Sequence, residues 1–460
     1  MPCEAAGALL LIALCLASVP ARASTYHLSP DGRDDAPGSR DRPWRTLEHA
    51  SAQAMPGDTI VLGPGVYAGQ LRPVRSGEVD APITFRAQPR RSAVLTGSAA
   101  GEYAAVLEGL SDILLEGLAV RTSDPQGRWI RVSGCSRIVL NDIRMEDTGS
   151  SLGLWVTDSE DLTIRACELR LARAGSMARI EGSRRVLIEG CAFSRGGHDI
   201  LLLQPDRSNS EFVLRGNVFH PGTCRGVLVD SVDRILFEDN VVTRIFDGGR
   251  CANSNMQFFS SNSIFRFNRL FDNWGVYLLS LSTYRETLDF RGVRVYHNVF
   301  DDNSAIAVRA LRTGRFGTAS NSLFANNVFS RNDPWVSGRD VQITEGARGQ
   351  ADFASNLFAG PVDLEQRLLT VEEAQGLAAD DPAAGIFAGN IAADPAFADP
   401  DAHDHAPAPG SPMIDGGAVL SHAVGDGSGS RLPVDDAHWF YDGYGIAAER
   451  GDLIVVGDRR

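Results

Sequence analysis

The amino-acid sequence predicts an all-β chain: a single-stranded right-handed parallel β-helix, or solenoid, with an N-terminal capping helix and an irregular C-terminal tail. Three observations lead there. A short apolar pattern recurs at intervals of about two dozen residues, the mark of a solenoid. Inside each copy, apolar and polar residues alternate with period two. One column of the repeat is asparagine in six consecutive copies, Asn217, Asn240, Asn268, Asn298, Asn327 and Asn356.

The repeat reads apolar, any, apolar, any, any, X, any, apolar, and runs from Ile113–Val120 to Ala351–Phe358. Position X is Leu118, Ile143, Cys167 and Cys191 before the asparagines begin, and successive X positions are 25, 24, 24, 26, 23, 28, 30, 29 and 29 residues apart. Alternation such as Val293-Arg294-Val295 describes half-buried strands rather than helices, and Gly, Asp and Asn bound the runs. Each coil therefore holds two or three short strands, and coils stack in parallel about 4.8 Å apart. Equivalent residues then form columns, so inward asparagines at one bend can bond from coil to coil as a ladder. Cys167 and Cys191 become stacking neighbours. Two buried thiols are favoured over a disulfide, because stacked side chains run parallel.

The remaining segments follow in order. Residues 1–23 are expected to be a secretory signal: Ala8 to Val19 is an apolar run too short to span a bilayer, and Ala21-Arg22-Ala23 offers a cleavage site. Residues 24–57 supply the N-terminal cap, with Leu47, Ala50 and Ala54 on one face of a helix ended by Pro56-Gly57. The β-helix occupies 58–360, opening on Asp58-Thr59-Ile60-Val61-Leu62, with two further strands at Ile83–Ala87 and Ala93–Thr96. Residues 361–460 cap and wrap the last coils. A helix starts near Thr370-Val371-Glu372-Glu373, and a final strand is expected at Leu453–Val456.

Charge narrows the function. A net charge of −14 excludes a general nucleic-acid binder. All 44 basic side chains are arginine, so chemistry that needs a lysine base or Schiff base is excluded. Five cysteines follow the signal segment, with no zinc-type spacing among them, so no metal ligands are assigned. No stretch of the chain reads as membrane-spanning, and the expected product is a secreted or periplasmic monomer.

Tyr26-His27-Leu28-Ser29-Pro30-Asp31-Gly32, Pro43-Trp44-Arg45-Thr46-Leu47, Pro56-Gly57-Asp58-Thr59-Ile60 and Gly65-Val66-Tyr67 resemble the opening of secreted right-handed β-helix proteins of the pectate-lyase-like superfamily. Ser411-Pro412-Met413-Ile414-Asp415-Gly416-Gly417 is similar to a segment near their C-terminus. The resemblance implies a groove for polysaccharide. That superfamily includes pectate and alginate lyases, chondroitinases, glycosidases and uronan epimerases, and fold alone does not choose among them. Its members that use a lysine base find no counterpart residue here.

Counting seven to nine residues past the X column reaches the turn after each strand. There the sequence offers His198 and Asp199, Asp247 followed by Arg250, and Tyr277 as catalytic candidates, with Arg225 as a substrate contact; Asp230 and Arg309, in the strands that follow, are further substrate contacts. A histidine or tyrosine can move the acidified proton of a uronate whose carboxylate an arginine neutralises. Alternatively Asp199, Asp230 and Asp247 supply the acid and base of a glycosidase. Asp230 and Asp233 could also ligate Ca2+, the one cofactor considered. The leading expectation is a lysine-independent enzyme on a polysaccharide, with uronic-acid-containing polymers among the candidate partners. The alternatives are a non-catalytic glycan-binding or surface structural β-helix and, third, a carbohydrate-binding β-helix that assists metal assembly. In the tail, Asp401, His403, Asp404 and His405 look like metal ligands, but their Pro- and Ala-rich setting favours a flexible surface loop, and Trp439, Tyr441 and Tyr444 are expected in cap packing.

Overall fold

The computed structural model describes residues 23–97, 102–122, 127–148, 152–172, 175–197, 199–203, 209–222, 225–246, 254–280, 290–310, 319–334, 337–343, 351–380, 387–425, 431–447 and 449–454. Within them the chain winds into a parallel β-helix with three faces. In one coil, Arg184–Glu189 lies on the first face, Ala192–Gly196 on the second and Asp199–Leu203 on the third. Each strand pairs in parallel with its counterparts in the neighbouring coils, as in Val186↔Phe212, Phe193↔Phe219 and Leu201↔Val227. The second face is a continuous 13-stranded sheet, whereas the first and third are joined in a 25-stranded one. The long strand Arg225–Glu238 joins them, with a register shift between Asp230 and Val232.

The asparagine column explains the bend between the first two faces. The residue before X has positive φ in every coil, from Gly117 at 63° through Asp239 at 53° to Ser355 at 56°. That left-handed turn leaves backbone groups for the buried carboxamides to satisfy. Asn217 Nδ2 donates to Asn240 Oδ1 at 3.0 Å, and the chain of bonds continues through Asn268, Asn298 and Asn327 to Asn356. It then takes in Asn390, 34 residues further on, which the repeat pattern did not reach. A second ladder stands five positions along each of three coils: Asn273 bonds to Asn303 and Asn303 to Asn332, ending on Asp340. Phenylalanines stack beside these columns, with Phe300, Phe329 and Phe358 spaced 4.9 and 4.8 Å. Cys135, Cys167 and Cys191 are free, buried thiols, and Cys191 Sγ accepts from the Cys167 N–H at 3.4 Å.

Coil stacking extends past both boundaries read from the sequence. Thr25–Leu28 pairs with Thr59–Leu62, so the first coil begins before the cap helix Leu47–Gln53. At the far end, Phe387–Ala388 and Ile391–Ala392 still pair with the coil below. Helix Val371–Asp380 is inserted ahead of them, its N-terminus fixed by reciprocal bonds between Thr370 and Glu373. Leu453 and Ile454 are not in a strand, and the rest of that expected strand lies outside the described residues.

Helix Val371–Asp380 packs on the core at the end of the rod through Val371 and Ala374, and the rest of the tail takes another course. It runs back along the outside of the first face, where Trp439, Tyr441, Tyr444 and Ile446 bury Leu187, Val213, Leu236, Ile264 and Tyr296. Four arginines of that face hold it: Arg294 to Asp436, Arg234 to Asp442, Arg215 to Glu449 and Arg266 to Asp452. Outward apolar side chains on the first face required a cover, and the tail supplies it. Residues 1–22, nearly all of the segment expected to be a signal, lie outside the described residues.

Candidate functional site

The tail covers the first face from Leu187 onward, and the second and third faces beside it carry further exposed polar side chains. Of the sequence-derived candidates, His198, Asp247 and Arg250 lie outside the described residues, as do the side chains of Arg225, Tyr277 and Arg309. Backbone register nevertheless relates several of them. Asp199 pairs with Arg225, and Ser254 with Tyr277, in the same column of the third face. Arg309 falls in a second column, opposite Ser280. Asp199 is only 2% exposed and accepts from Ser176 Oγ at 3.4 Å, so its carboxylate is packed within the strand layer. Asp230 is half-buried at the register shift.

The Arg309 column begins at the other end of the rod with Arg131, Trp155 and Arg179. The Arg131 guanidinium lies 4.9 Å from the Trp155 ring, whose Nε1 donates to Glu181 at 2.8 Å, and Glu181 also pairs with Arg179.

The second face carries a different constellation. An open groove of about 670 Å³ is lined by Arg121, Glu146, Arg170, Arg195, His220 and Arg244, with Ala192, Ser194 and Pro221 completing its wall. Parallel pairing explains why they meet. Arg121, Glu146, Arg170 and Ser194 are register partners on successive second-face strands, and His220 continues the column through its N–H bond to Phe193 O. Small Ala192 and Ser194 leave space between long neighbours. Arg195 and Arg244 stand one position further, each with positive φ.

The arginines differ in how they are held. Arg121 pairs with Glu146, Arg244 with Asp272 at 3.1 Å, and Arg170 reaches Glu168 at 3.5 Å. Arg195 is exposed and makes no ion pair with a described carboxylate. The His220 imidazole is held below the ordinary histidine range, first by burial and then by the Arg244 and Arg170 charges. It is therefore neutral near pH 7, and a neutral imidazole beside guanidinium groups can accept a proton from a substrate whose anion those groups hold.

None of the groove residues was singled out from the sequence, although the signal was there. Counting three residues past X instead of seven to nine gives Arg121, Glu146, Arg170, Ser194 and His220 in turn. The two sets adjoin in the chain: Arg195 lines the groove, and His198 and Asp199 follow it three and four residues on in the sequence.

Residues 116–257 match the family model for the right handed beta helix region, a span that contains the whole groove. The uncharacterized protein YwoF of Bacillus subtilis (strain 168) is 32% identical over 120 residues, which is 24% of this chain and 26% of that protein. Pectate lyase PEL9 of Emericella nidulans is 36% identical over 77 residues, 16% of this chain and 19% of that one. The chain thus spans about a quarter or less of the length of these curated relatives. Among solved structures, a mannuronic acid specific polysaccharide family 6 lyase from human gut microbiota aligns at 17% identity and a TM-score of 0.45, over 73% of this chain and 86% of that chain.

Proposed function

We propose that this right-handed β-helix protein of the pectate-lyase-like kind holds an acidic, uronate-containing polysaccharide in the second-face groove and cleaves it with His220 as proton acceptor. One observation carries this reading: four arginines and a neutral histidine line one groove on a chain whose net charge is −14. Such a local reversal of charge matches an anionic ligand. Coils are about 4.8 Å apart, and Arg121, Arg170, Arg195 and Arg244 stand on the first, third, fourth and sixth of the coils that line the groove, so guanidinium groups recur along the rod to meet the carboxylates of a polymer.

In the reaction, guanidinium groups neutralise the uronate carboxylate and so acidify the adjacent C5 proton. His220 takes that proton. The electron pair of the C5–H bond forms the C4–C5 double bond as the C4–O4 bond breaks, and the leaving oxygen takes up a proton from water or from the histidine. No lysine is needed. His198, Arg225 and Tyr277 belong to the same reading as further substrate contacts, whereas Asp199, packed within the strand layer, does not. A periplasmic or extracellular location is part of the proposal and draws on the apolar segment at residues 8–19.

The test is a panel of acidic and neutral polysaccharides, read by ultraviolet absorbance of unsaturated ends and by reducing sugar. Unsaturated products from an acidic polymer, lost in His220→Gln, support the proposal. Reducing ends without unsaturation replace it with hydrolysis. Binding of acidic polymer without turnover makes the groove a glycan-binding surface, and neither binding nor turnover overturns the reading.

A further inference from the structure

We infer that Asp301, His403 and His405 form a binding site for one divalent transition-metal ion, of which zinc fits the donors best. The sequence hinted at metal ligands in the tail but not at their partner. Residues Phe397–Asp399 and Asp404–Pro407 pair as a hairpin, so this segment is not the flexible loop its composition suggested. Asp399 caps the short turn Pro400–Ala402, and His403 ends it with φ 55°. The hairpin lies against the second face, where the Phe271 ring stacks on His403 at 4.4 Å and touches His405 at 5.3 Å. Asp301 ends the strand Val299–Asp301 of the next coil.

One nitrogen of each imidazole and one carboxylate oxygen of Asp301 lie within 4.8 Å of one another. His405 Nε2 and Asp301 Oδ2 are 3.0 Å apart. Ligands about 2.1 Å from a tetrahedral zinc sit about 3.4 Å from each other, so a shift of His403 by roughly an ångström closes the set. Asp301 is fully buried and His405 only 8% exposed. Burial of this kind normally goes with complete hydrogen bonding, yet His403 Nδ1 and His405 Nδ1 are both shielded from water without any partner. Two imidazoles and a carboxylate suit zinc or its neighbours, whereas calcium and magnesium take oxygen ligands.

The local charge also favours a cation. Asp272, Asp301 and Asp302 stand on adjoining coils, and the paired cations are Arg331 on Asp301 and Arg244 on Asp272. Arg331 fixes the Asp301 carboxylate and also donates to Pro400 O at 2.9 Å, which places the hairpin. A bound ion would rivet the hairpin to the rod three coils beyond His220. The site stands whether or not the groove cleaves glycans.

The full chain, stripped with EDTA and dialysed, is titrated with Zn2+ alone by calorimetry and with Co2+ by visible absorption. One equivalent of zinc with a rise in melting temperature is expected, and cobalt should give the intense bands of tetrahedral coordination. His403→Ala leaves the His405–Asp301 contact in place, so it should fold. It should weaken zinc at least about tenfold and cancel the thermal gain. No binding tighter than about 100 μM, or zinc binding unchanged in both His403→Ala and His405→Ala, overturns the site.

Discussion

Arg266 and Asp452, 186 residues apart in sequence, meet in a two-bond ion pair at 2.6 and 2.7 Å. The Arg266 side chain is 10% exposed and also reaches Glu238 and the Tyr296 hydroxyl. Removing one partner of a buried pair costs roughly 3–5 kcal/mol when the other charge is left alone, and less here because Glu238 remains. Asp452→Ala should lower the melting temperature and expose residues 436–452 to limited proteolysis. Digestion indistinguishable from the parent chain would mean that the aromatic contacts alone hold the tail.

The asparagine ladder predicts a gradient along the rod. Asn268 Oδ1 accepts from both the N–H and the carboxamide of Asn240, at 2.9 and 3.1 Å. Asn217 stands at the head of the column, and its Oδ1 accepts only the Cys191 N–H, at 2.9 Å. Each buried donor left unpaired costs about 1–3 kcal/mol. Asn268→Ala should therefore destabilise the protein more than Asn217→Ala in denaturant titrations. Equal losses would show that the carboxamide-to-carboxamide bonds contribute nothing measurable.

The fold was legible because a solenoid writes its geometry into a period. Asn217 to Asn356 announced the bend, and the alternation around them announced the strands. The ladder's last rung, Asn390, was hidden because helix Val371–Asp380 stretches that coil to 34 residues. The groove was hidden for another reason. Arg170 and His220 lie 50 residues apart, and neither has a motif around it; only coil register makes them neighbours. The course of the tail was not legible because its pairing partners, such as Arg266 and Asp301, are remote in sequence and its own pattern has no period. A hairpin fixed by one arginine and one aspartate looks like loop composition until the partners are placed.

His220 predicts where activity fails in acid. Its imidazole titrates below the ordinary value of 6.5 because burial and the Arg244 and Arg170 charges disfavour the cation. A proton acceptor works in its neutral form, so the acid limb of kcat/KM should have its midpoint below 6.5. Arg244→Gln removes one of the depressing charges and should move that midpoint upward. A midpoint that stays put in Arg244→Gln would take His220 out of the proton transfer.

Asp340 predicts a pH effect on stability opposite to that of most carboxylates. It is fully buried at the end of the second ladder, accepting from Asn332 Nδ2 at 2.8 Å and from the Gly360 N–H at 2.9 Å. Burial pushes its carboxyl from 3.8 up to about 7. Below pH 3.8 it is protonated whether the chain is folded or not. Between 3.8 and about 7 the unfolded chain loses the proton while the folded one keeps it, so this group's contribution to stability falls steadily across that window and levels off above it. Asp340→Asn removes the titration but turns an NH2 toward one of the two donors, which costs a hydrogen bond at every pH. The variant should be clearly less stable than the parent at pH 5, and the gap should narrow by pH 8. Chemical denaturation at several pH values measures that gap, and two stability curves that run parallel would show that Asp340 is ionised in the folded protein throughout.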